Sequence, residues 1–317
     1  MSNKICPILY LVIPCYNEEE VLPRTIPMFE EQMNKMINSG LIREDSQIVL
    51  VDDGSFDDTW NIISEAANCN DMITGLKLST NCGHQNALLA GLMYAKDWCD
   101  ISISIDCDGQ DDISVMSEMV AAYKEGNEVV YGVRDDRESD TGFKRWTAET
   151  YYRLLEKMDT KVIYNHADYR LLSKRVLKYL SQYQETNLFL RGLIPTIGFK
   201  STKVFYKRTE RIAGETHYPL MKMIALAVTG ITNMSIKPIY CIIGLGAILF
   251  GIGIFGTLVG AFLGNSLQFG INLMILLSGL QILCIGAVGI YVGKGYLETK
   301  HRLRYIIEET TEEEMNL

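Results

Sequence analysis

Gln47-Ile-Val-Leu-Val-Asp-Asp-Gly-Ser-Phe-Asp57 joins an apolar, β-rich run to a sudden group of carboxylates, and its form decides the fold. The run Gln47–Val51 has strand length, and a helical segment near Asp58–Ala67 follows it. The same figure recurs on either side. Ile8–Ile13 runs into Pro14-Cys-Tyr-Asn-Glu-Glu-Glu20, and Ile101–Ile105 runs into Asp106-Cys-Asp-Gly-Gln-Asp-Asp112. Two further β-rich runs lie at Ile73–Leu78 and Glu128–Val133, with helical segments near Glu18–Asn38, Gln85–Lys96 and Ser114–Lys124. Alternation of this kind predicts an α/β fold, a mostly parallel sheet with helices on both faces. No strand–helix junction carries G-x-G-x-x-G, so a dinucleotide fold of the NAD type is not supported.

Ligands of open α/β sheets bind beyond the carboxyl ends of the strands. The polar clusters fall at those ends, and Gly132-Val-Arg-Asp-Asp-Arg137 adds cations after the fifth strand. Three acidic clusters on one rim repel one another unless a cation or a donor-rich ligand sits among them. Oxygen ligands of this type suit Mg²⁺ or Mn²⁺ held by one or two carboxylates and substrate phosphates.

The 317-residue chain carries a formal net charge of -9, which argues against a nucleic-acid surface. Its eight cysteines are scattered without a C-x-x-C pair, as expected of reduced thiols in a cytosolic domain. The apolar run at the start is too short for a signal peptide.

Composition shifts sharply in the second half. From Ile239 to Gly293 there is no Asp, Glu, Lys or Arg, about 55 residues and enough for two membrane spans with a turn. The expected turn is Gly264-Asn-Ser-Leu-Gln268. Basic residues flank the pair on both sides, Lys207, Arg208, Arg211, Lys222 and Lys237 before it and Lys294, Lys300, Arg302 and Arg304 after it. Both chain ends are therefore expected in the cytoplasm. Gly256, Gly260 and Gly264, and again Gly289 and Gly293, form small-residue seams that could pack the two spans together or join protomers into a homo-oligomer. Tyr218 to Ile236 reads as an amphipathic interfacial helix. The acidic stretch from Glu308 to Glu314 reads as a solvated tail. Four parts result: a catalytic domain over 1–216, a juxtamembrane helix over 217–236, a two-helix anchor over 237–293 and a cytoplasmic tail over 294–317.

The motifs resemble glycosyltransferase family 2, within it the polyprenyl-phosphate and dolichyl-phosphate branch. They are Val12-Ile-Pro-Cys-Tyr-Asn-Glu18, Val51-Asp-Asp-Gly-Ser55, Gly83-His-Gln-Asn-Ala-Leu-Leu-Ala-Gly91, Asp106-Cys-Asp-Gly-Gln110 and Tyr131-Gly-Val-Arg134, then Asn165-His-Ala-Asp-Tyr-Arg-Leu171, Phe189-Leu-Arg-Gly192 and Arg211-Ile-Ala-Gly-Glu-Thr-His-Tyr-Pro219. The resemblance implies a nucleotide-sugar-binding domain of GT-A type. It implies that Pro14, Tyr16, Glu18, Asp52, Asp53 and Asp106 line the donor pocket. Asp106 and Asp108 look like the D-x-D pair, with Gln110 beside them on Mg²⁺ or Mn²⁺. Arg134, Arg170, Arg208 and Arg211 would hold donor or acceptor phosphates, and Asp108, Arg134 and Asp168 would serve catalysis. Relatives commonly carry Leu and Pro where this chain has Gly109 and Ile113, which implies a looser metal loop here.

The implied reaction is inverting transfer of one hexose, glucose or N-acetylglucosamine, from a UDP-sugar to polyprenyl phosphate. It would occur at the cytoplasmic face of the cell membrane, in a multi-pass protein. Alternatives are an enzyme using GDP-mannose, and a catalytically silent membrane adaptor, against which intact Asp106, Asp108 and Arg134 speak. A processive synthase would need more spans and a Q-x-x-R-W motif, which is missing. Asp168 is the position offered as a base. The acceptor phosphate is already mostly a dianion at neutral pH, so the expected role of Asp168 is to orient the sugar or an arginine.

Overall fold

The computed structural model describes residues 6–134, 166–185, 189–207, 266–300 and 302–312. The chain divides into two units, the first holding all the strands below and the second a long helix over Ser266–Thr299.

In the first unit the expected alternation is present: β1 (Leu9–Cys15), α1 (Leu22–Asn38), β2 (Gln47–Asp52), α2 (Thr59–Cys69), β3 (Ile73–Leu78), α3 (His84–Trp98) and β4 (Ile101–Ser104). A 3₁₀ turn at Ile113–Val115 leads into α4 (Met116–Lys124) and β5 (Val129–Arg134). Three further strands were not legible as such: β6 (His166–Ser173), β7 (Ser201–Tyr206) and β8 (Ile307–Thr310). Short helices α5 (Lys174–Leu180) and α6 (Leu190–Thr196) lie between β6 and β7.

The eight strands form one sheet in the order β7-β5-β6-β4-β1-β2-β3-β8. β1 pairs in parallel with β2 and β4, β2 with β3, and β5 with β7. Only β6 and β8 run against the rest, so the sheet is mostly parallel as expected. β1 is buried along its whole length, as a central parallel strand must be. Leu9, Leu11, Ile13 and Cys15 point into one core layer with α1, α2 and α4. Tyr10 and Val12 point into the other, with α3, α5 and α6.

Each helix is placed by its apolar face. In α1 the residues Leu22, Ile26, Phe29, Met33 and Met36 recur at helical spacing and are all buried. Complete burial of such a side chain is worth about 1.5–3 kcal/mol. A proline in the first turn starts α1, and Gly40 at φ +65 ends it, its N–H on the Ile37 carbonyl at 2.8 Å. α3 lies so close to the sheet that a Cβ at Gly91 would come within 2.4 Å of Val12 Cγ1.

The chain passes from β1 to β2 and β3 on one side, then crosses back to β4 on the other. The switch point between β1 and β4 is where such folds open a crevice. Because β6 is antiparallel to β4, with Ser104 opposite Arg170, its first residues lie beside the carboxyl end of β4.

The acidic end corrects one expectation. In place of a solvated tail, Ile307–Thr310 pairs with β3, and Trp60 Nε1 and Lys77 Nζ bond Glu309 at 3.1 and 2.8 Å. In the second unit, α7 (Ser266–Thr299) begins within the expected turn. Among the described residues no helix is long and apolar enough to cross a membrane. The amphipathic helix over 217–236 and the first expected span lie outside the described residues, and the second overlaps α7.

Candidate active site

The carboxyl ends of β1, β2 and β4 and the start of β6 form a polar rim. At the first of these Pro14 is buried, Tyr16 is exposed and Glu18 half-buried. Asn17 takes φ 52, which lets its Oδ1 accept from Phe56 N at 3.0 Å while its own N–H donates to Ser55 Oγ at 2.9 Å. These two bonds lock the loop after β1 to the loop after β2.

The paired aspartates after β2 have different partners. Asp52 Oδ1 accepts from Ser55 N at 3.1 Å, whereas its buried Oδ2 has no hydrogen-bond partner among the described residues. Asp53 accepts from Cys82 N at 2.7 Å and Gly83 N at 3.0 Å, and so holds the loop that leads into α3. Burial raises both carboxyls above their ordinary value, and the hydrogen bonds only partly offset it. Gly54, directly after them, has φ +64, and a Cβ there would sit 2.6 Å from the Thr80 carbonyl carbon. No other residue fits that approach.

After β4, Asp108 is buried and its Oδ1 accepts from Gln110 N at 3.1 Å. Gly109 takes φ +67 in this turn, a backbone conformation that favours glycine. Asp106 Oδ1 lies 3.1 Å from His84 Nε2 at the start of α3. Burial pushes the Asp106 carboxyl up, but the bond from His84 and the charges of His84 and Arg191 together hold the group below its ordinary value. Among the described residues no three His, Cys, Asp or Glu side chains converge as a metal cage. Mg²⁺ ordinarily binds through one or two carboxylates and completes its shell with water and phosphate oxygens. The hard oxygens of Asp106, Asp108 and Gln110 fit that arrangement.

Asp168 opens β6 and is 5% exposed. Arg191 grips it from α6, with Nη2 at 2.8 Å from Oδ2 and Nε at 3.2 Å from Oδ1. Arg170 Nη2 also donates to Oδ1, and His84 Nδ1 stands 4.0 Å from Oδ2. Burial pushes the Asp168 carboxyl up, but the charges of Arg191 and then Arg170 prevail and hold it far below the usual carboxylate range. Gln85 Oε1 accepts from Leu190 N at 2.9 Å, which fastens the start of α6 beside α3.

The structure thus brings His84, Asp106 and Asp168 together, all from different elements. Arg170, expected on a phosphate, is 1% exposed and turned onto Asp168. Arg134 Nε donates to Tyr206 Oη at 3.2 Å, and Tyr206 in turn donates to Asp111 Oδ1 at 2.8 Å. Arg208 and Arg211 lie outside the described residues. Arg191 was given no role from sequence, although it stands in the Phe189-Leu-Arg-Gly192 motif.

A two-sided α/β sheet with a carboxylate rim at its switch point is a frame for binding a ligand, and fold alone does not say which. The family described as glycosyl transferase family 2 matches residues 10–180, and the chain belongs to it. The chain is therefore a glycosyltransferase. It is 48% identical over 308 residues to the uncharacterized glycosyltransferase YkoT of Bacillus subtilis (strain 168), covering 95% of this chain and 91% of that one. It is 36% identical over 309 residues to the prophage bactoprenol glucosyl transferase homolog of Escherichia coli (strain K12), covering 94% and 97%. Identity to the bactoprenol glucosyl transferase of Shigella phage SfV is 35% over 309 residues, again covering 94% and 97%. Glucosyl-3-phosphoglycerate synthase of Mycobacterium tuberculosis aligns at TM-score 0.45 and 16% identity, over 72% of this chain and 79% of that one, too loosely to carry an argument.

Proposed function

We propose that this chain transfers one hexose, glucose or N-acetylglucosamine, from a UDP-sugar to a polyprenyl phosphate at the cytoplasmic face of the cell membrane. The observation that carries this reading is the likeness to proteins named as bactoprenol glucosyl transferases, which extends over 94% of the chain. It takes in the catalytic unit and the charge-free run alike, as a common lipid acceptor leads one to expect.

The donor is seated at the switch point, with Pro14, Tyr16, Glu18, Asp52 and Asp53 around the base and ribose. The unpartnered Oδ2 of Asp52 is an acceptor for a ligand N–H or hydroxyl, the kind of buried atom that needs a partner. Asp106, Asp108 and Gln110 would hold Mg²⁺ or Mn²⁺, which when bound neutralises the diphosphate leaving group. Arg134, Arg208 and Arg211 add positive charge for donor or acceptor phosphates. An oxygen of the lipid phosphate attacks the anomeric carbon in line. A C–O bond forms as the bond to the nucleoside diphosphate breaks, and this single displacement inverts the configuration.

In this reading residues 217–236 lie along the interface and 237–293 form two spans, an anchor supported by the run of about 55 residues without charge. A cysteine placed at Ser266 should then react with an impermeant reagent from outside while neither terminus does. Labelling of one terminus would leave a single span and remove the anchor as drawn.

The donor is tested by offering UDP-glucose, UDP-N-acetylglucosamine and GDP-mannose separately to membranes containing the chain and undecaprenyl phosphate. A lipid-linked product from a UDP-sugar is expected. Product from GDP-mannose alone would replace the donor assignment.

A further inference from the structure

The loop that carries Asp106, Asp108 and Gln110 is held by tyrosines from two neighbouring strands. Tyr206 ends the edge strand β7, where it stands opposite Arg134, the last residue of β5. Side chains alternate along β7. Ser201, Lys203 and Phe205 are exposed, whereas Val204 and Tyr206 are buried in the core layer of α1, α2 and α4.

The Tyr206 hydroxyl is engaged in both senses. An arginine can only donate and an ionised carboxylate can only accept. Tyr206 Oη therefore accepts from Arg134 Nε at 3.2 Å and donates to Asp111 Oδ1 at 2.8 Å. Arg134 Nη2 lies 3.6 Å from that same oxygen, beyond hydrogen-bond range, and the phenol bridges the cation and the carboxylate. Asp111 is 3% exposed, and a carboxylate so buried is costly unless charge and hydrogen bonds meet it.

Asp111 directly follows Gln110, whose N–H closes the turn on Asp108 Oδ1. One residue further on, Tyr169 Oη donates to the Asp112 carbonyl at 3.1 Å. The rings of Tyr169 and Tyr206 meet edge to face at 5.3 Å. Tyr169 lies so close to β5 that a Cβ at Gly132 would come within 2.9 Å of its carbonyl oxygen. Three strands thus act on the two residues after Gln110: β5 through Arg134, β6 through Tyr169 and β7 through Tyr206.

We propose that Tyr206 is a positioning residue of the metal loop, and that through Asp111 it sets the turn that holds Asp108 and Gln110 ready for the cation. The proposal rests on the reading that Asp106, Asp108 and Gln110 bind the metal of the donor diphosphate. Mg²⁺ demands near-ideal octahedral positions at about 2.0–2.1 Å, so a small rotation of the turn weakens its binding. The Tyr206 ring contributes packing, and its hydroxyl contributes position. Tyr206→Phe separates the two, because it keeps the ring against Tyr169 and removes the bridge.

The test compares two constants in the purified full chain and in Tyr206→Phe. One is the Kd for Mn²⁺ at saturating UDP, read from the electron paramagnetic resonance of free Mn²⁺. The other is the Kd for UDP in EDTA, read by calorimetry. Loss of a hydrogen bond to a buried charge should raise the Mn²⁺ Kd by about tenfold. The UDP Kd in EDTA should stay within about twofold of wild type, as for a site the substitution does not touch. Asp111→Ala cuts the same bond from the other side and takes the place of Tyr206→Phe if that variant does not fold. In the double variant the effects should not add, and its Mn²⁺ Kd should match that of Asp111→Ala, as two partners of one bond require. A Mn²⁺ Kd within about twofold of wild type in Tyr206→Phe would overturn the proposal. So would a UDP Kd in EDTA that rises as far as the Mn²⁺ Kd, since Tyr206 would then support the whole pocket. Effects that add in full would overturn it as well. If the wild-type chain binds no Mn²⁺ with UDP present, the metal reading fails by itself. Hydrogen exchange over residues 106–112 then decides Tyr206. Faster exchange in Tyr206→Phe is expected, and exchange at the wild-type rate would remove Tyr206 from the holding of this loop.

Discussion

Arg191 Nη2 and Asp168 Oδ2 stand 2.8 Å apart, a contact across 23 residues of chain that ties α6 to the start of the antiparallel strand β6. With Arg170 on the other oxygen, the carboxylate is neutralised before any substrate arrives. A group so held is a poor proton acceptor, which favours orientation over base catalysis for Asp168.

The same pairing fixes a pH dependence of stability. The folded-state carboxyl of Asp168 lies far below the ordinary unfolded value of about 4, so its stabilisation is complete above that value and is lost progressively below it, as pH falls toward the folded value. The stability deficit of Asp168→Asn relative to wild type should be level between about pH 8 and 5, and should shrink below about pH 4. Thermal midpoints of the two proteins across that range check this. A deficit that grows on acidification would contradict it.

Asp108 tests the metal. Its buried carboxylate is expected to meet the cation on the donor diphosphate, so Asp108→Asn should lose at least about a hundredfold in transfer rate while its thermal midpoint stays near that of wild type. Full activity of the wild-type chain in excess EDTA would remove the metal from the mechanism.

The loop Cys82–Gly83 is held by Asp53, and the neighbouring residue Ser79 donates its N–H to the Ile306 carbonyl at 3.0 Å. Removing residues 303–317 should therefore speed hydrogen exchange at Gly75 and Ser79 and weaken UDP binding through the loosened loop. Glu309→Ala alone should cost at most about 1 kcal/mol, since its ion pair with Lys77 is half-exposed. Unchanged exchange after truncation would mean that β8 adds nothing to the edge of the sheet.

Gly54 is the sharpest local test of the donor loop. Its left-handed backbone costs a residue with a Cβ roughly 1–2 kcal/mol before any clash. The approach to Thr80 adds to that, so Gly54→Ala should lower the thermal midpoint and raise the UDP Kd together. A variant with wild-type UDP affinity would show that the contact between the two loops is dispensable.

Much of this was legible in the sequence, and the exceptions share a cause. The strands β1 to β5 were visible because each is a short β-rich run bounded by helical segments or turns, and the aspartates were visible because they follow β2 and β4 directly. β6 was hidden because it buries Asp168 and Arg170, a pair whose mutual neutralisation leaves no mark on a hydropathy pattern. β8 was hidden because Ile307-Glu-Glu-Thr310 has no apolar run and is held by its pairing with β3 and by Trp60 and Lys77. The role of Arg191 depends on a partner 23 residues away, reached only through the turn of the chain into α6. The positive φ of Gly109 is a property of the folded loop and leaves no mark in the sequence.

Sugar transfer to a lipid phosphate is the central claim, and one measurement bears on it most directly. The purified full chain is incubated with radiolabelled UDP-glucose or UDP-N-acetylglucosamine, undecaprenyl phosphate and Mg²⁺ or Mn²⁺, and the mixture is partitioned between water and an organic solvent. Label from one of the two donors should enter the organic phase only when the lipid phosphate is present, and should return to water after mild acid releases the sugar. Label from both donors that stays in the aqueous phase, as intact donor or free sugar, would contradict the account.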